Sequence, residues 1–160
     1  METTRRATVT LPTDTTILIS RQFAAPRELV WRAWTEPELV ARWWHANRGE
    51  VLSIDADVRV GGRWRYVMRA NNGFEVAFNG EYREVVPPER LVSTEVFEPM
   101  PDEPAINTTT FADRDGGTLV MLHVEHRTQQ ARDMHVNSGM EDGLQDALCL
   151  LEDLAQALIR

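Results

Sequence analysis

Lysine is missing altogether, since every one of the 17 basic residues is arginine. Without an ε-amino group the chain has no Schiff-base nucleophile, no anchor for pyridoxal phosphate and no phosphate-loop lysine, so those chemistries are excluded at the outset. The simplest cause is genomic base composition rather than a functional demand. Cysteine is nearly absent too. Cys149 alone forms neither an internal disulfide nor a CxxC site, and among Leu148, Leu150 and Leu151 it reads as a small buried hydrophobe. Long apolar runs are lacking: residues 1–14 carry Arg5-Arg6 with no hydrophobic stretch behind them, and no later segment approaches spanning length, so a cytoplasmic protein is expected. Positive charge is scarce. A net charge of -8 disfavours nucleic acid and anionic membrane as partners and leaves small molecules and proteins. There is no GxSxG, nucleotide loop or carboxylate pair to support a hydrolase or kinase, and nothing calls for a cofactor.

What the chain does have is length and apolar content for one domain, with 160 residues of which 42% are hydrophobic. Residues 1–14 are Thr-rich and read as a loose arm before a single domain over 15–160. The most informative stretch is Gly61 to Arg83. Trp64, Tyr66 and Met68 alternate with Arg63, Arg65 and Arg69, and Phe74, Val76, Phe78 and Tyr82 alternate with Glu75, Asn79, Glu81 and Arg83. A three-residue Asn71-Asn72-Gly73 loop, with Gly73 at positive φ, sets Arg69 opposite Glu75, Arg63 opposite Glu81, Met68 opposite Val76 and Tyr66 opposite Phe78. A two-residue loop would put Arg69 opposite Val76, so the pattern itself selects the register. In the preferred register Gly80 faces Trp64 and is expected to leave room beside the ring.

Around this hairpin, residues 16–24 alternate as a strand with Ile17, Ile19 and Phe23 facing inward. Pro26 suits the first turn of a short helix. Thr35-Glu36-Pro37-Glu38 fits a capping box opening a second short helix that ends near Trp44. Together these helices carry Trp31, Trp34, Trp43 and Trp44, either as a ligand lid or as anchors to the sheet edge. From Glu50 to Arg127 turn signals separate strand after strand in an antiparallel meander. Residues 138–159 form one long helix, with Ser138 and Glu141 as a second capping box. Its apolar stripe runs through Met140, Leu144, Leu148, Leu151, Ala155 and Leu158, and Gly139 and Gly143 allow either close packing or open space beside the sheet.

The segments FAAPRELVWRAWTEPELVARWW at 23–44, DVRVGGRWRYVM at 57–68, GEYREVVPPERLVSTE at 80–95, GGTLVMLHV at 116–124 and GMEDGLQDALCLLEDLA at 139–155 carry a resemblance. Taken jointly, they resemble the SRPBCC (START/Bet v1-like) superfamily in its branch called activator of Hsp90 ATPase homologue 1-like, from about Thr15 to Leu158. The resemblance implies an α+β helix-grip fold, with a curved antiparallel sheet of about six to seven strands wrapped around the C-terminal helix and two short helices after the first strand. It also implies a deep, mostly apolar cavity, in a family whose members include carriers, cyclases, resistance proteins and cochaperone domains. Many relatives have tryptophan after the glycine that opens the long helix, where this chain has Met140, which implies a softer and larger pocket mouth.

On that fold the expected ligand-binding residues are Trp64, Tyr66, Met68, Phe78, Tyr82 and Phe97 from the sheet and Met140, Leu144 and Leu148 from the helix. Glu95 is the candidate catalytic residue. If Leu91, Ser93, Glu95 and Phe97 face inward, its carboxylate projects into the cavity, where desolvation poises it for proton transfer. The opposite register turns Val92, Thr94 and Val96 inward and leaves Glu95 in water. With Val120, Leu122 and Val124 facing the helix, His123 and Glu125 point outward and His126 lies at the strand end, and His45 and His135 have no HxxxH-type spacing, so these histidines are expected on the solvated surface, with no metal site. Three functions remain open: binding of a small apolar or aromatic molecule, a polyketide cyclase/aromatase- or dehydratase-like enzyme, and an Hsp90 cochaperone. The last is disfavoured because the chain has no room for the additional N-terminal domain of the eukaryotic activators. Leu119 and Met121, outward on the presumed final strand, suggest a homodimer face.

Overall fold

The protein is described by a computed structural model over residues 5–159. Eight strands form one antiparallel sheet in the order β1-β2-β8-β7-β6-β5-β4-β3. The meander comprises β3 (Gly49–Ala56), β4 (Arg63–Ala70), β5 (Glu75–Val86), β6 (Arg90–Phe97), β7 (Ala105–Arg114) and β8 (Gly117–Glu125). The remaining two strands are β1 (Thr8–Thr10) and β2 (Thr16–Phe23). Short helices α1 (Arg27–Thr35) and α2 (Pro37–Val40) follow β2, and α4 (Met140–Ala157) crosses the concave face. No helix among the described residues is long and apolar enough to cross a membrane.

The extra strand corrects the expected loose arm, of which residues 1–4 lie outside the described residues. Thr8–Thr10 pairs with Leu18–Ser20. Just before it, Gln145 of α4 works like a neighbouring strand: its Oε1 accepts from Ala7 N at 2.7 Å and its Nε2 donates to Ala7 O at 3.0 Å. A polar residue on an otherwise apolar helix face thus ties down a segment with little of its own to bury.

The β4–β5 hairpin has the register that its charge pattern requires. Arg69 faces Glu75, Arg63 faces Glu81, Met68 faces Val76 and Tyr66 faces Phe78, with Gly73 at φ 93°. On the outer face Arg69 reaches Glu75 at 3.8 Å, and Arg65 grips Glu98 of the loop after β6 with two bonds of 2.8 and 2.9 Å. Phe74 departs from the expected inner row. It lies beyond the last ladder pair, at the hairpin tip, and is 72% exposed.

Two expected caps are replaced. Thr35 Oγ1 donates to Trp31 O at 2.8 Å instead of capping, so Glu36 is the N-cap of α2 without a side-chain bond and the helix stops at Val40. Ser138 Oγ likewise donates backward, to His135 O at 2.6 Å, and α4 starts from Gly139 at φ 85°. Both hydroxyls are claimed by the turn that precedes them, which leaves the next helix start without an acceptor. Ser138 serves a helix that the strand pattern did not announce, α3 (Gln129–Val136), whose own cap is Thr128 accepting from Ala131 N at 3.0 Å. Arg132 fastens α3 to the rest by donating to Thr13 O at 2.6 Å.

β8, the final strand in chain order, lies inside the sheet between β2 and β7. Leu119 and Met121 are outward but half-buried, Met121 standing between Ser20 and Thr110.

Candidate functional site

The inward rows of the sheet do not meet α4 everywhere, and the gap is a cavity of about 510 Å³. Its floor carries Trp64, Tyr66 and Met68 of β4 and Phe78 and Tyr82 of β5; its roof carries Met140, Gly143, Leu144 and Leu148 of α4. Eight of the nine residues expected to contact a ligand therefore line one space. The ninth, Phe97, lines an adjoining chamber of about 370 Å³ that shares Phe78, Glu95, His135 and Met140 with the first. Phe78 and Phe97, with ring centroids 5.1 Å apart, form the apolar bridge between the two.

Gly80 has a different role from the one expected. Trp64 already fills its vacancy, donating from Nε1 to Thr94 O at 3.1 Å, while Glu81 N turns to Thr94 Oγ1 at 2.9 Å. A Cβ on Gly80 would stand 1.8 Å from Thr94 O and 2.6 Å from Trp64 Nε1. The glycine therefore lets an indole into the ladder and leaves no free room. Open space lies instead at Gly143, where a Cβ would meet only the Arg48 stem at 3.8 Å.

The tryptophans divide between the two expected roles. Trp31 and Trp34 pack edge-on against Phe111, and Trp43 donates to Ala33 O at 2.7 Å, so these three anchor the short helices, with Trp34 and Trp43 also bordering the cavity. Trp44 turns the other way, edge-on to Tyr66 at 5.4 Å and to Phe78 at 5.8 Å, and walls the cavity. Arg48 closes the rim beside it, bonding Ala46 O at 2.8 Å and Asp146 of α4 at 2.6 Å.

Of the two registers open for β6, the one with Leu91 and Ser93 buried is formed, and it sends Glu95 into the cavity wall. Its Oε1 accepts from Asn107 Nδ2 at 2.9 Å. No arginine among the described residues is bonded to it, and it lines both chambers. Burial pushes its carboxyl above the usual carboxylate value, with the Asn107 amide opposing the rise. Burial raises the Tyr82 phenol to about 12 and also carries the Tyr66 phenol well above its ordinary value, with Tyr82 and Glu95 adding to the effect at Tyr66. Glu95 is thus the one carboxyl on the cavity lining, beside the Asn107 amide and two protonated phenols, with Ser93, Thr109, Ser138, His45, His135 and Arg48 completing its polar content.

His126 and His135 were expected on the solvated surface and are instead partly buried in contact, His126 Nε2 lying 3.0 Å from His135 Nδ1. The sequence signal was faint: they are brought together by α3, folding back from the end of β8. Burial, then His126, lowers the pKa of His135 to about 4; burial also lowers that of His126. No group of three or more potential metal ligands occurs among the described residues.

Outside the cavity lining, Arg21 and Glu152 are almost fully buried and paired at 3.2 Å, and Arg5 joins Glu152 at 2.6 Å. Alternation places Arg21 between Ile19 and Phe23 on the inner face, and Glu152 stands beside Leu151 in the helix stripe, so the pair was legible in the pattern. Cys149 is half-buried beside it, its Sγ donating to Arg5 O at 3.3 Å, rather than packed among leucines.

A family model described as activator of Hsp90 ATPase homolog 1-like protein matches residues 24–156. Among solved structures, a Rhodobacter sphaeroides protein superposes with a TM-score of 0.89 at 25% identity, over 96% of this chain and 100% of the other. A Mycobacterium smegmatis protein gives 0.83 at 26% identity over 92% and 96%. The AHSA1-like protein of Aeromonas hydrophila gives 0.68 at 27% identity over 89% and 92%. No curated protein matches the sequence.

Proposed function

The chain belongs to the activator of Hsp90 ATPase homolog 1-like family, and from that premise we propose that it binds a small apolar or aromatic molecule in the cavity between sheet and α4. One observation carries the reading: about 510 Å³ of space is walled mainly by aromatic and aliphatic side chains that would otherwise close on one another. Close-packed interiors keep few voids larger than a water molecule, so a volume of this size needs an occupant or solvent. Native mass spectrometry of gently purified protein tests it. The expected result is an adduct on the 18.3 kDa chain, released on collisional activation and lost in Gly143→Leu. The bare chain mass, together with no saturable uptake of an apolar probe, would overturn the reading.

The Glu95 carboxyl supports a second reading, a cyclase- or dehydratase-like enzyme in which it moves a proton within the cavity. Chemical conversion of the bound molecule by the wild type, and not by Glu95→Gln, would select that alternative.

A further inference from the structure

Half-buried Glu95 has no cationic partner among the described residues, whereas the deeply buried carboxylate Glu152 has both Arg21 and Arg5. The difference is one of place. Glu152 is enclosed between sheet and helix, whereas Glu95 faces open volume on both sides of Phe78. Buried carboxylates require a counter-charge or a full set of hydrogen bonds. Asn107 supplies one bond to Oε1, and the remaining acceptor sites are turned to the cavity. The neighbouring groups provide no positive charge: Tyr66 and Tyr82 hold their protons, and burial disfavours protonation of His126 and His135. Glu103 adds a second acidic residue to the smaller chamber. Arg48, the arginine on the cavity lining, is committed to Asp146 at the rim. Tyr66, Phe78 and Phe97 line the two chambers together with this carboxyl, and aromatic faces attract cations.

Resting on the reading of the cavity as a ligand site, we propose that its ligand is a hydrophobic amine, whose apolar body fills the main chamber and whose ammonium group pairs with Glu95 where the two chambers meet. The ligand supplies the counter-charge that the fold leaves out. The acidic net charge of the protein also favours the approach of a cation over an anion.

Isothermal titration of the full chain with octylamine, octanol and octanoate, at physiological salt to suppress surface attraction, tests the class. Octylamine is expected to bind about tenfold or more tightly than octanol, because a desolvated charge pair with a cation–π contact is worth at least one decade of affinity. Octanoate is expected to bind worst. Glu95→Gln preserves the shape and the acceptor for Asn107, and it should bring octylamine down to the affinity of octanol. An amine no tighter than the alcohol, or an amine preference that survives Glu95→Gln, would overturn the proposal. The wild-type comparison decides the matter even if the variant misfolds. Saturable octanol binding without amine preference removes the amine and leaves the cavity reading intact; no binding of any of the three removes both.

Discussion

Gly143→Leu separates a chamber from a packed interface, and its outcome is calculable from the structure. A glycine inside an exposed helix costs about 0.8–1.0 kcal/mol relative to alanine, and leucine lies close to alanine on that scale. Against this gain stands overpacking, typically about 1–3 kcal/mol when a well-filled core must accept extra carbons. The first added carbon at position 143 meets only Arg48 Cδ and Nε at 3.8 Å, an ordinary contact with a flexible stem, and the residue borders the open cavity. The overpacking cost is therefore absent. Stability should rise by about 0.5–1 kcal/mol, which for a domain of this size corresponds to roughly 1–4 °C in Tm. Ligand affinity should fall about tenfold or more, since the branched side chain enters the volume beside the rim. Denaturant and thermal melts give the first quantity, and titration with octanol gives the second. Gly143→Ala is the control, with the helical gain and little loss of binding. A Gly143→Leu protein that melts lower than the wild type, or that binds octanol unchanged, would refute the reasoning.

Further outcomes follow from the same geometry. Gly80→Ala should destabilise by about 2–3 kcal/mol, because its methyl collides with Thr94 O and displaces Trp64; urea unfolding would register it, and a neutral result would contradict the placement of the indole. Glu152→Gln should cost about 3–5 kcal/mol by stranding Arg21 in the interior, again measured by urea unfolding. His135 has a depressed folded pKa of about 4, so between its unfolded value near 6.5 and that point the unfolded chain binds the extra proton and stability falls as pH falls. The loss is at most about 3 kcal/mol, with His126, Glu103 and Arg132 as the charges around the pair, and His135→Gln should flatten it. Glu95 runs the other way. Its raised folded pKa makes stability fall as pH rises above the ordinary carboxylate value, and Glu95→Gln should remove that component from melts taken across mildly acidic pH.

The register of the hairpin was legible because its two faces differ in kind. Shifting β4 against β5 by one residue would bury arginines and expose Trp64 and Tyr66, so one register satisfies both faces. The floor and roof of the cavity followed from that hairpin and the α4 stripe. β6 was ambiguous because Val92 and Val96 are as apolar as Leu91 and Phe97; only its pairing with β5, including the break between Tyr82 and Glu84, fixes which row looks inward. The chamber beside Phe97 was hidden for another reason. It needs α3, whose sequence QQARDMHV has little apolar periodicity, and which is held by Arg132 donating to a distant carbonyl. The cap at Ser138 and the vacancy at Gly80 were misread because each was judged by its local pattern, while the partner that settled it, His135 O or Trp64 Nε1, came from another element or turn.

The claim on which all of this depends is that the space between sheet and α4 takes up a small apolar molecule. Methyl-resolved NMR during titration with octanol measures it at the site. Val76, Leu122, Val124, Leu144 and Leu148 line the chamber, whereas Leu11 and Ile159 are exposed elsewhere. The account predicts saturable shifts in the first group that share one dissociation constant, with the second group unmoved. Chamber methyls that stay fixed up to the solubility limit of octanol, or shifts that grow linearly and include Leu11 and Ile159, would contradict it.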